Sequence, residues 1–207
     1  MTRGRFITFE GIDGAGKSTC LEFVRTWLQE RGLSLVTTRE PGGTPAGEAI
    51  RRLLLDKSTR ICADTETLLM FAARAEHLDA VVRPALSEGA WVLCDRFTDA
   101  TYAYQGGGRG IAFDRLDILR DWVQQGLEPD LTVLVDVDPG IASKRLEGRG
   151  GEADRFEREA RQFHERVRGA YLELAGRSPA RMRIVDSTAS VEEVQERLRP
   201  VLEELLR

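Results

Sequence analysis

Five short apolar runs punctuate this chain, and helical periodicity fills the intervals between them. Residues 5–10 (Arg-Phe-Ile-Thr-Phe-Glu) alternate in polarity and end at a glycine, as a strand entering a loop does. From 17 to 31 the apolar residues Cys20, Phe23, Val24, Trp27 and Leu28 recur at helical spacing, with Gly32 where a C-terminal cap belongs. The pattern repeats with a strand at 33–38, a Pro/Gly loop at 39–44 and a helix at 45–55. After a break at 56–64, one long helix is predicted from 65 to 88, ended by Gly89, and then a buried strand at 91–95 that finishes on an acid. A glycine-rich segment at 106–110 precedes a helix at 113–125 and a strand at 131–136. A short helix, a Gly/Arg segment at 147–155, a charged helix to about 175, a strand at 182–186 and a helix at 190–206 complete the chain. Ser190 and Glu193 are spaced as a capping box for that last helix. Five apolar strands separated by helices predict an α/β fold, a parallel sheet covered on both faces. No internal repeat, low-complexity tract or linker interrupts it.

Composition narrows the function. With 207 residues and 42% hydrophobic content the chain can bury one sizeable core, so 1–207 is read as a single domain. A net charge of -4 gives no general field for nucleic acid or an anionic membrane, and neither is expected as a partner. The few apolar residues before Glu10 are too short for a signal peptide or a membrane span, and Cys20, Cys62 and Cys94 form no zinc pattern. A cytoplasmic protein with reduced thiols is the expectation. The two histidines, His77 and His164, lie in charged helical stretches and read as solvated or half-buried structural residues. The chain has no asparagine, which removes the Asn-Lys-x-Asp guanine reader of a small GTPase.

The chemistry is carried by Gly11-Ile12-Asp13-Gly14-Ala15-Gly16-Lys17-Ser18, which matches G-x-x-x-x-G-K-[ST] and falls between a strand and a helix. Its glycines let the backbone turn so that N–H groups point inward at the positive end of the helix, a cradle for ATP phosphates that extends to Thr19. Lys17 would reach the β and γ phosphates, and the Ser18 hydroxyl can ligate Mg²⁺. Together with the strand pattern this predicts a three-layer P-loop NTPase fold. The acceptor side is marked by Asp95-Arg96-Phe97, directly after a buried strand and so at the carboxyl edge of the sheet, where ligands of open α/β folds bind. There Asp95 can hold the metal shell, and Arg96 can grip a second phosphate.

The segments Phe9 to Ser18, Arg39-Glu-Pro-Gly-Gly-Thr44, Phe71-Ala-Ala-Arg-Ala75, Asp95-Arg-Phe97, Ala103-Tyr-Gln-Gly-Gly-Gly-Arg-Gly110 and Pro129-Asp-Leu131 occur in one order, and with them the chain resembles the thymidylate kinase family over nearly its whole length. The resemblance implies transfer of the terminal phosphate of ATP to dTMP with Mg²⁺, a step toward dTTP, and a homodimer. It implies that Arg96 binds the dTMP phosphate, with Asp95 beside it and the metal, and that Arg39 belongs to the substrate site. It implies further that Arg74 hydrogen-bonds thymine O4 and that Thr101 and Gln105 flank the base. Tyr104 would pack under the deoxyribose, and Asp13 would touch the sugar 3′-hydroxyl or a metal-bound water. An aromatic ring one helical turn before Arg74 would stack on the base, but position 70 is methionine. Either Met70 packs on the thymine or Phe71 turns in, and Phe71 is slightly favoured. Residues 145–156 read as a lid with pliable glycines, from which Arg149 is the first choice to reach the transferring group, beside Arg145 and Arg155. Gly14 occupies the place of an arginine in the eukaryotic branch, so the likeness is to the bacterial branch.

Overall fold

Strands β1 (Phe6–Glu10), β2 (Leu35–Arg39), β3 (Trp91–Asp95), β4 (Leu131–Asp136) and β5 (Met182–Asp186) form the sheet in the computed structural model, which describes residues 4–148 and 154–206. All pairings are parallel, in the order β2-β3-β1-β4-β5. The continuous apolar character of the inner strands follows from burial on both faces. Every residue of β1 is buried, whereas the edge strands β2 and β5 keep exposed positions. Successive residues serve opposite faces. Ile7, Phe9 and Leu93 pack with Val24, Trp27 and Leu28 of α1 (Lys17–Gln29), while Phe6, Val92 and Cys94 pack with Leu78, Val82 and Leu86.

Several helix starts are written locally. Thr44 caps α2 (Pro45–Leu55), its hydroxyl accepting the Gly47 N–H at 3.0 Å, and Pro45 fills the first position, where no N–H is needed. The capping box of Ser190 and Glu193 forms as predicted at the start of the helix we designate α9 (Val191–Leu205).

One segment departs from the expectation, and another gains a definite form. The long helix at 65–88 is interrupted, running as α3 (Ala63–His77), a π-helical turn Leu78–Val82 and α4 (Arg83–Ser87). Pro84 offers no N–H and its ring collides with the carbonyl a turn earlier, and the wider π turn just before it makes room. The glycine-rich stretch is not a loose loop. After α5 (Thr98–Thr101) the chain continues as a π-helical turn Tyr102–Gly108 that leads to α6 (Phe113–Gln124). A Cβ on Gly107 would strike Ala170, and one on Gly108 would strike the Phe163 ring. The glycines therefore let this turn lie hard against α8 (Arg161–Arg177), which follows α7 (Pro139–Glu147) and β4.

Register brings the chemistry to one edge. Phe9 lies opposite Asp95, Arg39 opposite Asp95 and Glu10 opposite Leu134, so the phosphate loop after β1 and Arg96 after β3 leave the same carboxyl edge side by side.

Candidate active site

The phosphate loop turns on glycines in conformations that other residues avoid. Gly14 has φ 81°, and a Cβ there would collide with the Ala142 carbonyl of α7. Gly16 has φ 99° and caps α1, with open space where a side chain would be. Lys17 is buried and donates to the Gly11 and Ile12 carbonyls at 3.2 and 3.1 Å, so its ammonium is folded back on its own loop. Burial and the nearby Arg96 depress its pKa, opposed by Asp13, Asp95 and Glu10.

On one side of this loop is a cavity walled by Asp13, Met70, Arg74, Arg96, Thr101, Tyr104 and Gln105, all expected at the acceptor site. Arg96 adopts φ 71°, outside the range most residues use. Its Nη2 donates to Asp13 at 2.7 Å and to the Tyr104 hydroxyl at 3.0 Å, and its guanidinium lies 4.7 Å from the Tyr104 ring centre. Burial alone would raise the Asp13 pKa, but the charges of Arg96 and Lys17 outweigh it and hold the carboxyl well below the usual range. Burial pushes the Tyr104 hydroxyl up, so it remains protonated.

Arg74 stands elsewhere in the same wall. Its Nε donates to Glu40 at 2.8 Å and its Nη2 to Thr101 at 2.9 Å, while Nη1 is buried with no partner among the described residues. A buried, unanswered donor is costly, and in a cavity wall it marks a place for an acceptor atom from a ligand. Glu40 is fixed from behind by His77, which also bonds Thr38. His77 is thus completely buried and structural, where a solvated or half-buried position was expected.

Met70 and Phe71, the two residues offered for the base, are placed differently. Met70 lines the cavity, and Phe71 points into a separate cluster with Tyr102 and Leu116. Both precede Arg74 by about one turn, four and three residues away, and the Arg74 guanidinium also lies 4.8 Å from the Phe71 ring centre, so Phe71 supports Arg74 while Met70 faces the cavity. Arg39 pairs with Glu48 at 3.0 Å in a second groove that also holds Ser18 and Asp95, and its charge reaches Arg51 of the acceptor wall. In that groove the Asp95 Oδ1 is buried without a partner among the described residues, and Ser18 is exposed.

The sequence reading missed Glu40, Arg51 and Phe156, which line the acceptor cavity too. Arg51 and Leu55 are four apart on α2 and both face it, a helical-face signal that was present. A further groove on the other side of the loop, bounded by Gly14, Gly16, Thr19, Arg145, Ser187 and Gln195, was not foreseen beyond the loop itself. Of the lid arginines, Arg149 lies outside the described residues. Arg145 donates to the Ser187 carbonyl at 2.6 Å, and Arg155 to Glu66 at 2.6 Å and the Leu54 carbonyl at 2.8 Å. Both are therefore engaged with the protein in this structure.

The family model described as thymidylate kinase matches residues 9–198. The chain is 57% identical over 197 residues to the thymidylate kinase of Chromohalobacter salexigens, covering 94% of this chain and 93% of the relative. To that of Nitrosomonas eutropha it is 56% identical over 203 residues, covering 98% and 94%. The crystal structure of thymidylate kinase from Ehrlichia chaffeensis is similar with a TM-score of 0.80 and 33% identity, covering 97% of this chain and 99% of that one.

Proposed function

The chain belongs to the thymidylate kinase family, and on that premise we propose how its residues phosphorylate dTMP to dTDP at the expense of ATP. ATP lies along the loop from Gly11 to Thr19, its phosphates on the inward N–H groups, with its remainder toward Ser187 and Gln195. Lys17 leaves the Gly11 and Ile12 carbonyls for the β and γ phosphates. The phosphate of dTMP is held by Arg96 with Arg51 in the same wall, and the thymine is directed by Arg74, whose free Nη1 meets O4. Met70 lies along the base, Thr101 and Gln105 along its edge, and Tyr104 under the sugar. The observation that carries this reading is the pairing, in one cavity beside the phosphate loop, of Arg96 with the unanswered Nη1 of Arg74.

No general base is required. A phosphate monoester has its second pKa at about 6, so dTMP arrives largely as the dianion. What the protein supplies is alignment and cancellation of charge between two anions. The unpartnered Oδ1 of Asp95 and the exposed Ser18 fit a hard cation, and these two would hold Mg²⁺. When bound, the ion offsets the charge of the phosphate oxygens. Arg39, tied to Glu48, lies near enough to Arg51 of the acceptor wall for their charges to interact, and it adds to the positive field that receives dTMP. The chain acts as one domain in which residues 145–156 form the lid, and Arg149 is its candidate for the transferring group.

The homodimer is proposed on an exposed apolar face. Leu68 of α3 and Ile118 and Trp122 of α6 are 56%, 68% and 75% exposed, on two helices that pack together. No helix among the described residues is long and apolar enough to cross a membrane. The three cysteines are free, which suits the cytoplasm proposed as its compartment.

The reading is tested by Arg96→Ala, which should abolish dTDP formation while leaving ATP binding intact. Loss of ATP binding would move Arg96 to the donor side. In a parallel screen of ADP release, dTMP should stimulate more than dUMP, dCMP or a deoxynucleoside.

A further inference from the structure

A buried acid stands next to Arg96 that the transfer described above does not use. Glu10, the last residue of β1, is 0% exposed and does not line the acceptor cavity. Both of its oxygens are occupied. Oε1 accepts the N–H of Phe97 at 2.6 Å, and Oε2 accepts the hydroxyl of Tyr171, on α8, at 2.6 Å.

Each bond leads to Arg96. Phe97 follows it directly, and the N–H of Arg96 itself donates to the Phe9 carbonyl at 3.0 Å. The backbone on both sides of a residue at φ 71° is therefore fastened to the end of β1. A non-glycine residue in the left-handed region persists only when its surroundings over-determine it. The Tyr171 hydroxyl, oriented by donating to Glu10, accepts from Arg96 Nη1 at 3.4 Å.

We propose that Glu10 is a positioning residue for the acceptor phosphate, holding Arg96 in its left-handed backbone through Phe97 and its guanidinium at the cavity wall through Tyr171. This rests on the reading of Arg96 as the phosphate ligand. The environment opposes the acid. Burial, and then the charge of Asp99, push the carboxyl up to about 8 against the Tyr171 bond, Arg96 and the Phe97 bond. Lys17, Cys94 and Arg181 also face it. A glutamine would fit the space without the cost of a buried charge. Its single carbonyl oxygen, however, cannot stand in for both carboxylate oxygens, and its amide group only donates. Ionising this acid is thus costly for the fold, but either oxygen of a carboxyl, unlike an amide nitrogen, can accept a hydrogen bond, which suits it to the double grip.

The test is calorimetric titration of dTMP and of ATP into wild type, Glu10→Gln, Tyr171→Phe, Arg96→Ala and the Glu10→Gln/Arg96→Ala double variant. Glu10→Gln should weaken dTMP binding about tenfold or more, the effect of a lost buried hydrogen bond, and change ATP binding less than about twofold. Tyr171→Phe should reproduce part of that loss. In the double variant dTMP should bind no more weakly than to Arg96→Ala alone, because Glu10 acts through Arg96. Unchanged dTMP affinity in Glu10→Gln, or a further loss on top of Arg96→Ala, overturns the proposal. If Arg96→Ala keeps full dTMP affinity, the reading beneath the proposal fails instead. Should Glu10→Gln not fold, Tyr171→Phe decides, with a loss of dTMP affinity in support and no loss against.

Discussion

At the scale of single residues, this site is built from charged groups that hold one another in place before any ligand arrives. Glu10 shows what that costs. Its carboxyl rises from an ordinary 4.5 to about 8, so between those values the folded chain binds a proton that the unfolded chain has released. The stability that this difference contributes is present in full below the lower value and is lost as the pH rises through the upper one. Glu10→Gln should therefore gain on wild type by on the order of a few kcal/mol when urea unfolding is compared at about pH 5 and about pH 9. A constant difference across that range would show that the acid is not opposed by its surroundings. The sequence made some residues plain and hid others. Lys17 and Arg96 could be read because each follows a buried strand into a loop. Which of Met70 and Phe71 faces the cavity, the buried state of His77 and the placement of Arg39 could not be read, since each depends on which neighbouring element packs against it.

Among the elements, strands were legible because burial on two faces leaves an unmistakable apolar run, as in 91–94 and 131–135. The helical form of the glycine-rich segment could not be read because glycine has two uses. Local rules take it as a break, whereas Gly107 and Gly108 permit the close contact of a helical turn with Ala170 and Phe163. Glu66 is a similar hidden junction. It is 1% exposed on α3, yet it receives Gln105 at 2.8 Å, Arg155 at 2.6 Å and Arg109 at 3.2 Å, and so ties together α3, the π-helical turn and the chain entering α8. Removing it takes the carboxylate from Arg155 and one of two from Arg109, which keeps Glu159 at 2.6 Å, and breaking a buried pair in this way costs about 3 kcal/mol or more. Glu66→Ala should lose at least that much in denaturant unfolding. A loss below about 1 kcal/mol would mean that the arginines escape to solvent.

For the whole molecule, the class of fold followed from the sequence, but the strand order did not, since apolar runs carry no record of their neighbours. The central place of β1 is set by crossovers that only the packed helices reveal. The exposed apolar face of α3 and α6 belongs to this scale as well. If the proposed dimer forms through it, Trp122→Arg should yield a monomer of unchanged secondary structure in sedimentation, and a variant that stays dimeric would place the interface elsewhere. The arrangement about the phosphate loop has a broader consequence. Asp13 faces the acceptor cavity and its neighbour Gly14 the groove opposite, so under the proposed function a single stretch of main chain would partition the two nucleotides. The span that the phosphoryl group crosses would then be a property of the backbone, while the choice of base would belong to the side chains proposed to meet it on α3 and α5. Re-engineering those side chains to admit a different pyrimidine can leave that span, and with it the turnover of whatever is admitted, largely intact.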